Sequence, residues 1–298
     1  MLVDIIVIGY RWADRLLRRS PLQAYFTWRA AKTVTVLAYH GIDHPERFAW
    51  HLDYLRKNSA PISLADLHAA LDGSGGLPHR AVLITFDDGD PSLVKSALPL
   101  LIERRLPAAA FVVAGLVNRD EAPWWQTVEA AAGPEMAAGM IRALKEMPDI
   151  QRRQQVDLLS RQAPTVIPQL RTEDLHLMMS AGVAIGNHSL THPCLPRCED
   201  HTVNEEIAGA HRRLTELLGS PPESFAYPNG DWDVRAEGRL RELGYRSGFL
   251  FDHRPATIPV PNSLQISRVR VNSTTRPDRF ALIMSGLHPA LHRVRGGQ

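Results

Sequence analysis

The sequence predicts an α/β fold built on parallel strands. Short apolar runs bounded by turn residues recur along the chain, and amphipathic stretches separate most of them. This alternation is typical of strands joined by helices. The sequence carries no repeat, low-complexity tract or long linker, which favours a single domain. With 298 residues, 44% of them hydrophobic, the chain is long enough to bury a substantial core.

Six apolar runs are predicted strands, and a helix is predicted between most of them. The strands are Thr33–Tyr39, Ala81–Phe86, Ala108–Val113, Val183–Gly186, Ser224–Tyr227 and Ser247–Phe251. Residues 121–162 are alanine-rich and charged without a strand-like run, so a helical insertion is predicted at about 121–165 of a domain that spans 33–298. One last helix is predicted to begin near Pro277.

The first 32 residues are predicted to form a separate basic amphipathic segment. Met1–Gly9 is apolar but shorter than the roughly 20 residues that cross a bilayer, and it does not resemble a cleavable signal. Arginines then interleave with Trp12, Leu16, Tyr25 and Trp28. Two placements stay open: peripheral contact with an anionic membrane, or packing on the domain as a helix with solvated charges. A cytoplasmic protein, in either arrangement, is expected.

Composition argues against two classes of protein. The net charge of +2 gives no excess of basic residues, so no nucleic-acid partner is expected. Cys194 and Cys198 are too few for a disulfide framework, and their spacing differs from that of structural zinc sites.

Two carboxylates follow the second predicted strand. Asp87 and Asp88 come directly after Phe86, and Gly89 follows them. Neighbouring side chains on an extended strand point in opposite directions, so a bend at Gly89 is needed to bring both carboxylates to one site. One carboxylate can then ligate a metal, and the other can act as a general base. Taken alone, Asp-Asp-Gly is also a common turn.

Two further clusters follow later strands. His188 and His192 come after the fourth predicted strand, and they face one point if the residues between them form a helical turn. Imidazole is a common zinc ligand. The segment Tyr227-Pro228-Asn229-Gly230 follows the fifth strand and offers backbone amides that suit an oxyanion. By itself this segment is an ordinary turn.

Together the clusters resemble the polysaccharide deacetylase family, also called the NodB-homology or family-four carbohydrate esterases. Thr85–Gly89 matches the first family motif, and His188-Ser-Leu-Thr-His192 matches the second. Phe225–Gly230 resembles a Phe-Ala-Tyr-Pro-x-Gly variant of the third. The resemblance covers roughly residues 34–271 and implies a distorted (β/α) barrel of about seven parallel strands.

The resemblance implies that Asp88, His188 and His192 hold one divalent metal, most often zinc, with cobalt, manganese and nickel as alternatives. Asp87 is then the general base. The implied activity is metal-dependent removal of an N-acetyl group from an amino-sugar substrate, which is a small molecule or a glycolipid. A lipid-linked, nucleotide-linked or secondary-metabolite sugar fits. A deformylase, an O-acetyl esterase and a non-catalytic sugar-binding protein stay open as alternatives.

The sequence also departs from the family pattern. Ala226 stands where many members carry an arginine that orients the catalytic aspartate, and we hypothesise that Arg268 takes over this role. The general acid is open, with His40 favoured over His288 in the last predicted helix. The Tyr227–Gly230 segment is assigned to substrate and oxyanion binding. Trp124 and Trp125 either line the substrate site or anchor the insertion.

Overall fold

The computed structural model describes residues 12–257 and 259–294, except the side chains of residues 292–294. Nine strands are found in these ranges: β1 (Thr33–Tyr39), β2 (Ala60–Pro61), β3 (Ala81–Phe86), β4 (Ala108–Val112), β5 (Val183–Asn187), β6 (Ser224–Ala226), β7 (Ser247–Phe249), β8 (Ala256–Thr257) and β9 (Val269–Arg270).

The helices flank this sheet. They are α1 (Pro21–Ala30), α2 (Pro45–Asn58), α3 (Leu64–Leu71), α4 (Leu98–Arg104), α5 (Trp124–Glu146), α6 (Asp149–Gln162), α7 (Thr172–Ser180), α8 (Asp200–Leu218), α9 (Val234–Glu242), α10 (Pro277–Met284) and α11 (Leu287–Val294). Residues 12–18 are also helical, and a π-helical segment, Leu93–Ala97, precedes α4. No described helix has the length and apolar character needed to cross a bilayer.

The sheet is curled and mostly parallel, and it forms a half-barrel. Seven strands run parallel in the order β7-β6-β5-β4-β3-β1-β9. Strand β2 pairs in parallel with β3, and β8 pairs antiparallel with β1. The predicted distorted (β/α) barrel is confirmed. Because neighbouring parallel strands end at the same edge, the loops that follow them converge there.

The central strands are continuous apolar runs because both faces of the sheet are covered. All six residues of β3 and six of the seven in β1 are buried. The register pairs Tyr39 of β1 with Phe86 of β3. The two strands therefore end side by side. The residues that follow them, His40 and Asp87, are neighbours at the same edge of the sheet.

Most predicted strands match the structure, with differences of one or two residues at their C-terminal ends. The predicted single helix from Pro277 is wrong, because α10 and α11 are separate. Gly286 between them has a φ of 77°, a left-handed conformation that ends a helix. The predicted insertion contains α5 and α6. The domain boundaries stay predictions.

The described part of the N-terminal segment packs on the C-terminal helices. Arg18 bonds to Asp278 at 2.8 Å, and Gln23 donates to the Ala281 carbonyl at 3.1 Å. The prediction that Met1–Gly9 is neither a membrane span nor a cleavable signal concerns residues outside the described ranges.

Candidate functional site

The chain turns immediately after β3, at the two adjacent carboxylates Asp87 and Asp88. Asp87 continues the sheet, since its amide donates to the Tyr39 carbonyl at 2.9 Å. Asp88 has a φ of 71°, in the left-handed region that aspartate tolerates better than most residues. The chain therefore turns at Asp88, one residue before the predicted bend, and Gly89 continues the turn with a φ of 75°.

Asp87 is held by a buried arginine from a distant part of the chain. Arg268 donates from Nη1 to Oδ1 and from Nη2 to Oδ2, both at 2.7 Å. Its Nε donates to the Leu250 carbonyl at 2.9 Å, and the residue is fully buried. A planar guanidinium matches both oxygens of one carboxylate, so this pair fixes the orientation of Asp87.

The charges around Asp87 decide its ionisation. Burial alone raises the pKa of this carboxyl group, but the positive charges of Arg268 and of the nearby histidines outweigh burial and lower it. Burial raises the pKa of Asp88 as well, but its contact with His188 and the charges of the neighbouring imidazoles outweigh burial and lower it. Both carboxyl groups are therefore ionised at neutral pH.

The two histidines converge on Asp88. Nε2 of His188 lies 3.4 Å from Oδ1 of Asp88, and Nε2 of His192 lies 3.5 Å from the same oxygen. The histidines converge without the helical turn that would be one way to bring them together. Ser189 and His192 have φ angles of 67° and 58°, so the segment is an irregular loop that brings both rings to one side.

Each imidazole ring is also oriented by a contact with a residue other than Asp88. Nδ1 of His188 lies 2.8 Å from the Ala226 carbonyl, which only accepts, so Nδ1 carries the proton and Nε2 presents its lone pair. The ring of Trp125 packs on His192 at 4.6 Å, and Nε1 of Trp124 donates to the His192 carbonyl at 2.9 Å. The first turn of α5 therefore supports the second histidine.

Glu206 of helix α8 holds the loop between the histidines, and the sequence did not identify it. Its Oε2 accepts from the amides of Leu190 and Thr191 at 3.0 and 2.8 Å, and its Oε1 accepts from the Thr191 hydroxyl at 2.6 Å. Glu206 is only 3% exposed. The one sequence feature that could have indicated a buried role for Glu206 was its position next to Ile207, on the apolar face of a predicted helix.

The loop after β6 contributes two of its four predicted residues to the cavity. Asn229 and Gly230 line the cavity, whereas Tyr227 and Pro228 are buried and are not among the lining residues. Asn229 and Gly230 have φ angles of 59° and 79°. A Cβ added at Gly230 would lie 2.2 Å from the Cβ of Phe251, so only glycine fits there.

These side chains open into a cavity of about 760 Å³. Helix α5 supplies one wall, and the segment after β7 supplies the opposite one. The lining residues are His40, Asp87, Asp88, Trp124, Trp125, Glu129, Ile141, Lys145, His188, His192, Asn229, Gly230, Phe251, Asp252, His253, Arg254 and Arg270. A cavity of this size accommodates one or more sugar rings.

The two general-acid candidates lie in different places. His40 lines the cavity, and its buried Nδ1 has no hydrogen-bond partner among the described residues. It is close enough to both carboxylates that its charge lowers their pKa values. His288 lies in α11, where its Nε2 is 2.8 Å from Arg279, and it lines a different cavity.

Asp88, His188 and His192 fit a divalent metal. One ligand atom from each lies within 4.8 Å of the others. Oδ1 of Asp88, which both Nε2 atoms face, is buried without a hydrogen-bond partner among the described residues. Two imidazoles and a carboxylate form a ligand set typical of zinc and other first-row ions, and it leaves coordination positions open.

The two imidazoles have pKa values that are shifted in opposite directions. Burial disfavours the charged ring at both histidines. At His188 the charges of Asp87 and Asp88 outweigh burial and raise the pKa. At His192 burial and the neighbouring His188 lower the pKa to about 3. His192 is therefore neutral at pH 7, which is the form in which an imidazole ligates a metal.

Comparison with known proteins identifies relatives of this chain. The sequence profile of the polysaccharide deacetylase family matches residues 74–248. The chain is 21% identical over 198 residues to a poly-β-1,6-N-acetyl-D-glucosamine N-deacetylase of Staphylococcus aureus, covering 66% of this chain and 57% of that protein. It is 22% identical over 216 residues to a chitooligosaccharide deacetylase of Rhizobium leguminosarum bv. trifolii, covering 72% and 75%.

Solved structures share the fold. The Streptococcus pyogenes deacetylase PplD in complex with acetate superposes with a TM-score of 0.63 at 17% identity, covering 85% of this chain and 98% of that one. IcaB from Ammonifex degensii gives a TM-score of 0.63 at 23% identity, with coverages of 85% and 96%. The family profile spans more than half of the sequence and includes the two carboxylates and both histidines, so the chain belongs to the polysaccharide deacetylase family.

Proposed function

We propose that this chain is a metal-dependent hydrolase that removes an N-acetyl group from an amino-sugar-containing substrate. The observation that carries the proposal is the convergence of Asp88, His188 and His192 within 4.8 Å, beside a buried carboxylate, Asp87, that has a separate cationic partner. Membership of the polysaccharide deacetylase family supports it.

Asp88, His188 and His192 would hold the metal, which we propose is zinc, with cobalt, manganese or nickel as substitutes. The bound ion supplies a Lewis acid that polarises the amide carbonyl and lowers the pKa of a water molecule. The Nε2 atoms of the two histidines face Asp88, and the Ala226 carbonyl keeps His188 in the tautomer that ligation requires.

Asp87 is proposed as the general base. The lowered pKa keeps its carboxylate ionised, so it is ready to accept the proton of the attacking water. Arg268 holds both carboxylate oxygens and thereby acts as a positioning residue. Many family members carry an arginine at the position of Ala226, and that arginine has the same role of orienting the aspartate.

His40 and the β6 loop complete the proposed site. His40 lines the cavity at the end of β1 and is proposed to protonate the leaving amine. The hydrogen bonds of the Pro228–Gly230 turn use the amides of Gly230 and Asp231. The amide of Asn229 is proposed to donate to the oxyanion that develops on the carbonyl oxygen.

The substrate class is proposed from the cavity walls. Trp125 and Phe251 offer aromatic faces of the kind on which sugar rings stack, and Lys145, Arg254 and Arg270 lie among the same lining residues. Arg254 pairs with Asp252 at 3.8 Å, which leaves Lys145 and Arg270 to suit a substrate with an anionic group, such as a lipid-linked or nucleotide-linked amino sugar. Deformylation and O-deacetylation would need the same metal chemistry, but the named relatives remove N-acetyl groups or deacetylate chitooligosaccharides.

The replacement Asp87→Asn tests the proposal. We expect turnover to fall by at least about a hundredfold, because the base is lost, while zinc content stays near that of the wild type. The matched control, Asp88→Asn, should lose both zinc and activity, because it removes a ligand. Activity is measured as acetate and free amine released from N-acetylated oligosaccharides, and metal by elemental analysis. Full activity in folded Asp87→Asn protein would exclude Asp87 as the base.

A further inference from the structure

We propose that residues 12–30 form a docking surface for an anionic lipid membrane. The surface is defined by its exposed apolar side chains, Trp12, Leu16, Leu22, Tyr25 and Trp28, and by the exposed arginines Arg15, Arg19 and Arg29. This inference goes beyond the proposed catalytic function and does not depend on it.

The large apolar side chains of this segment point away from the protein. Trp12 is 64% exposed, Leu16 68% and Trp28 68%. Leu22, Tyr25 and Trp28 follow one another at intervals of three residues, which places them along one side of α1. No residue of α1 is buried. An exposed apolar stripe of this size on a soluble domain marks an interaction surface.

Side-chain hydrogen bonds and an ion pair attach this segment to the domain. Gln23 donates to the Ala281 carbonyl at 3.1 Å and accepts from the Ser285 hydroxyl at 2.9 Å, and Asp14 pairs with Arg279 at 2.9 Å. A surface helix normally buries its apolar side and exposes its polar side. Here Leu22, Tyr25 and Trp28 are exposed while Phe26 is half-buried, so most of the aromatic surface of α1 is available to an external partner.

The positive charge of the docking surface favours an anionic lipid membrane as its partner. Arg15, Arg19 and Arg29 are exposed, and the one acid of the segment, Asp14, is buried against Arg279. Tryptophan and tyrosine favour the headgroup region of bilayers, and arginine favours anionic lipids. Exposed aromatic residues next to arginines therefore suit the headgroup region of an anionic membrane.

The start of this segment contacts a residue that lies near the proposed catalytic cavity. Arg279, which pairs with Asp14, lines a neighbouring cavity together with His253 and Arg270. His253 and Arg270 also line the catalytic cavity.

Vesicle flotation of the full chain tests this proposal. We expect binding to vesicles of phosphatidylcholine with phosphatidylglycerol, little binding to phosphatidylcholine alone, and weaker binding at high salt. The double replacement Tyr25→Ser/Trp28→Ser should lower vesicle affinity by about tenfold. Arg15→Gln/Arg19→Gln should lower it by about fivefold per arginine.

The matched control is Ile150→Ser, which removes a 63% exposed apolar side chain from α6. It should bind vesicles as the wild type does. Absence of wild-type binding to the anionic vesicles would overturn the proposal, and so would equal binding by Tyr25→Ser/Trp28→Ser. A dimer that separates in this double variant, without any vesicle binding, would assign the surface to a second copy of the chain. Flotation requires no turnover, so its outcome is independent of the catalytic proposal.

Discussion

Replacing Arg268 with methionine is expected to destabilise the fold and to release Asp87. Methionine is unbranched and of comparable length, so it fills much of the space of the arginine without its charge. The carboxylate of Asp87, only 3% exposed, then loses two hydrogen bonds of 2.7 Å and its cationic partner. The Leu250 carbonyl and the Thr85 hydroxyl each lose a donor as well.

The magnitude follows from the burial of both partners. Removing one member of a buried ion pair costs about 3–5 kcal/mol, because an uncompensated charge is left in a medium that solvates it poorly. Protonation of Asp87 limits this cost. In the wild type the pKa of Asp87 is below its usual value, so its pair with Arg268 contributes stability above about pH 4 and loses it below. In the variant the buried carboxyl group has a raised pKa, so the destabilisation should be smaller at pH 5 than at pH 8.

The assay is urea unfolding of the metal-free protein, followed by circular dichroism, for the wild type, Arg268→Met, Asp87→Asn and the double variant. Because the double variant leaves neither charge unpaired, it should be more stable than the sum of the single losses predicts, by at least about 1 kcal/mol. Arg268→Met should also lower kcat while zinc content is kept, since it disturbs the base and no ligand. A loss of stability below about 1 kcal/mol, or additive losses in the cycle, would refute the proposed role of this pair.

Two further predictions concern residues outside the cavity. Glu206→Gln should weaken zinc binding by about tenfold, measured by competition with a chelating dye, because a neutral amide replaces the carboxylate that accepts from Leu190 and Thr191; unchanged affinity would contradict this. His51 has its pKa lowered to about 4 by burial, and in its neutral form Nε2 donates to the Thr275 carbonyl while Nδ1 accepts from the Tyr39 hydroxyl. Since the unfolded chain binds the proton first, unfolding free energy should fall by about 2 kcal/mol between pH 7 and pH 5 through this residue. Urea unfolding at both pH values should show a smaller fall in His51→Gln, and an equal fall would exclude His51 as the source.

The family and the clustering of Asp88, His188 and His192 were predictable because each rests on local sequence. An apolar run that ends in Asp87-Asp88 or in a histidine pair places chemically distinctive side chains at a strand end, and parallel strands bring their ends to one edge. The strand boundaries of β1 and β3 followed from the same runs. The conformation between the histidines did not, because left-handed φ angles at Ser189 and His192 are imposed by contacts with Asn187 and Glu206.

By itself, the sequence determined the architecture, the family and the residue types that suit a metal and a base, since these depend on short patterns and on the chemistry of single side chains. Only the tertiary structure decided which residues from distant parts of the chain contact and orient these side chains. Arg268 lies 181 residues from Asp87 along the chain, and Trp125 lies 67 residues from His192, yet both pairs are in contact. No local pattern encodes such contacts, because they form when the curled sheet brings the ends of its strands together.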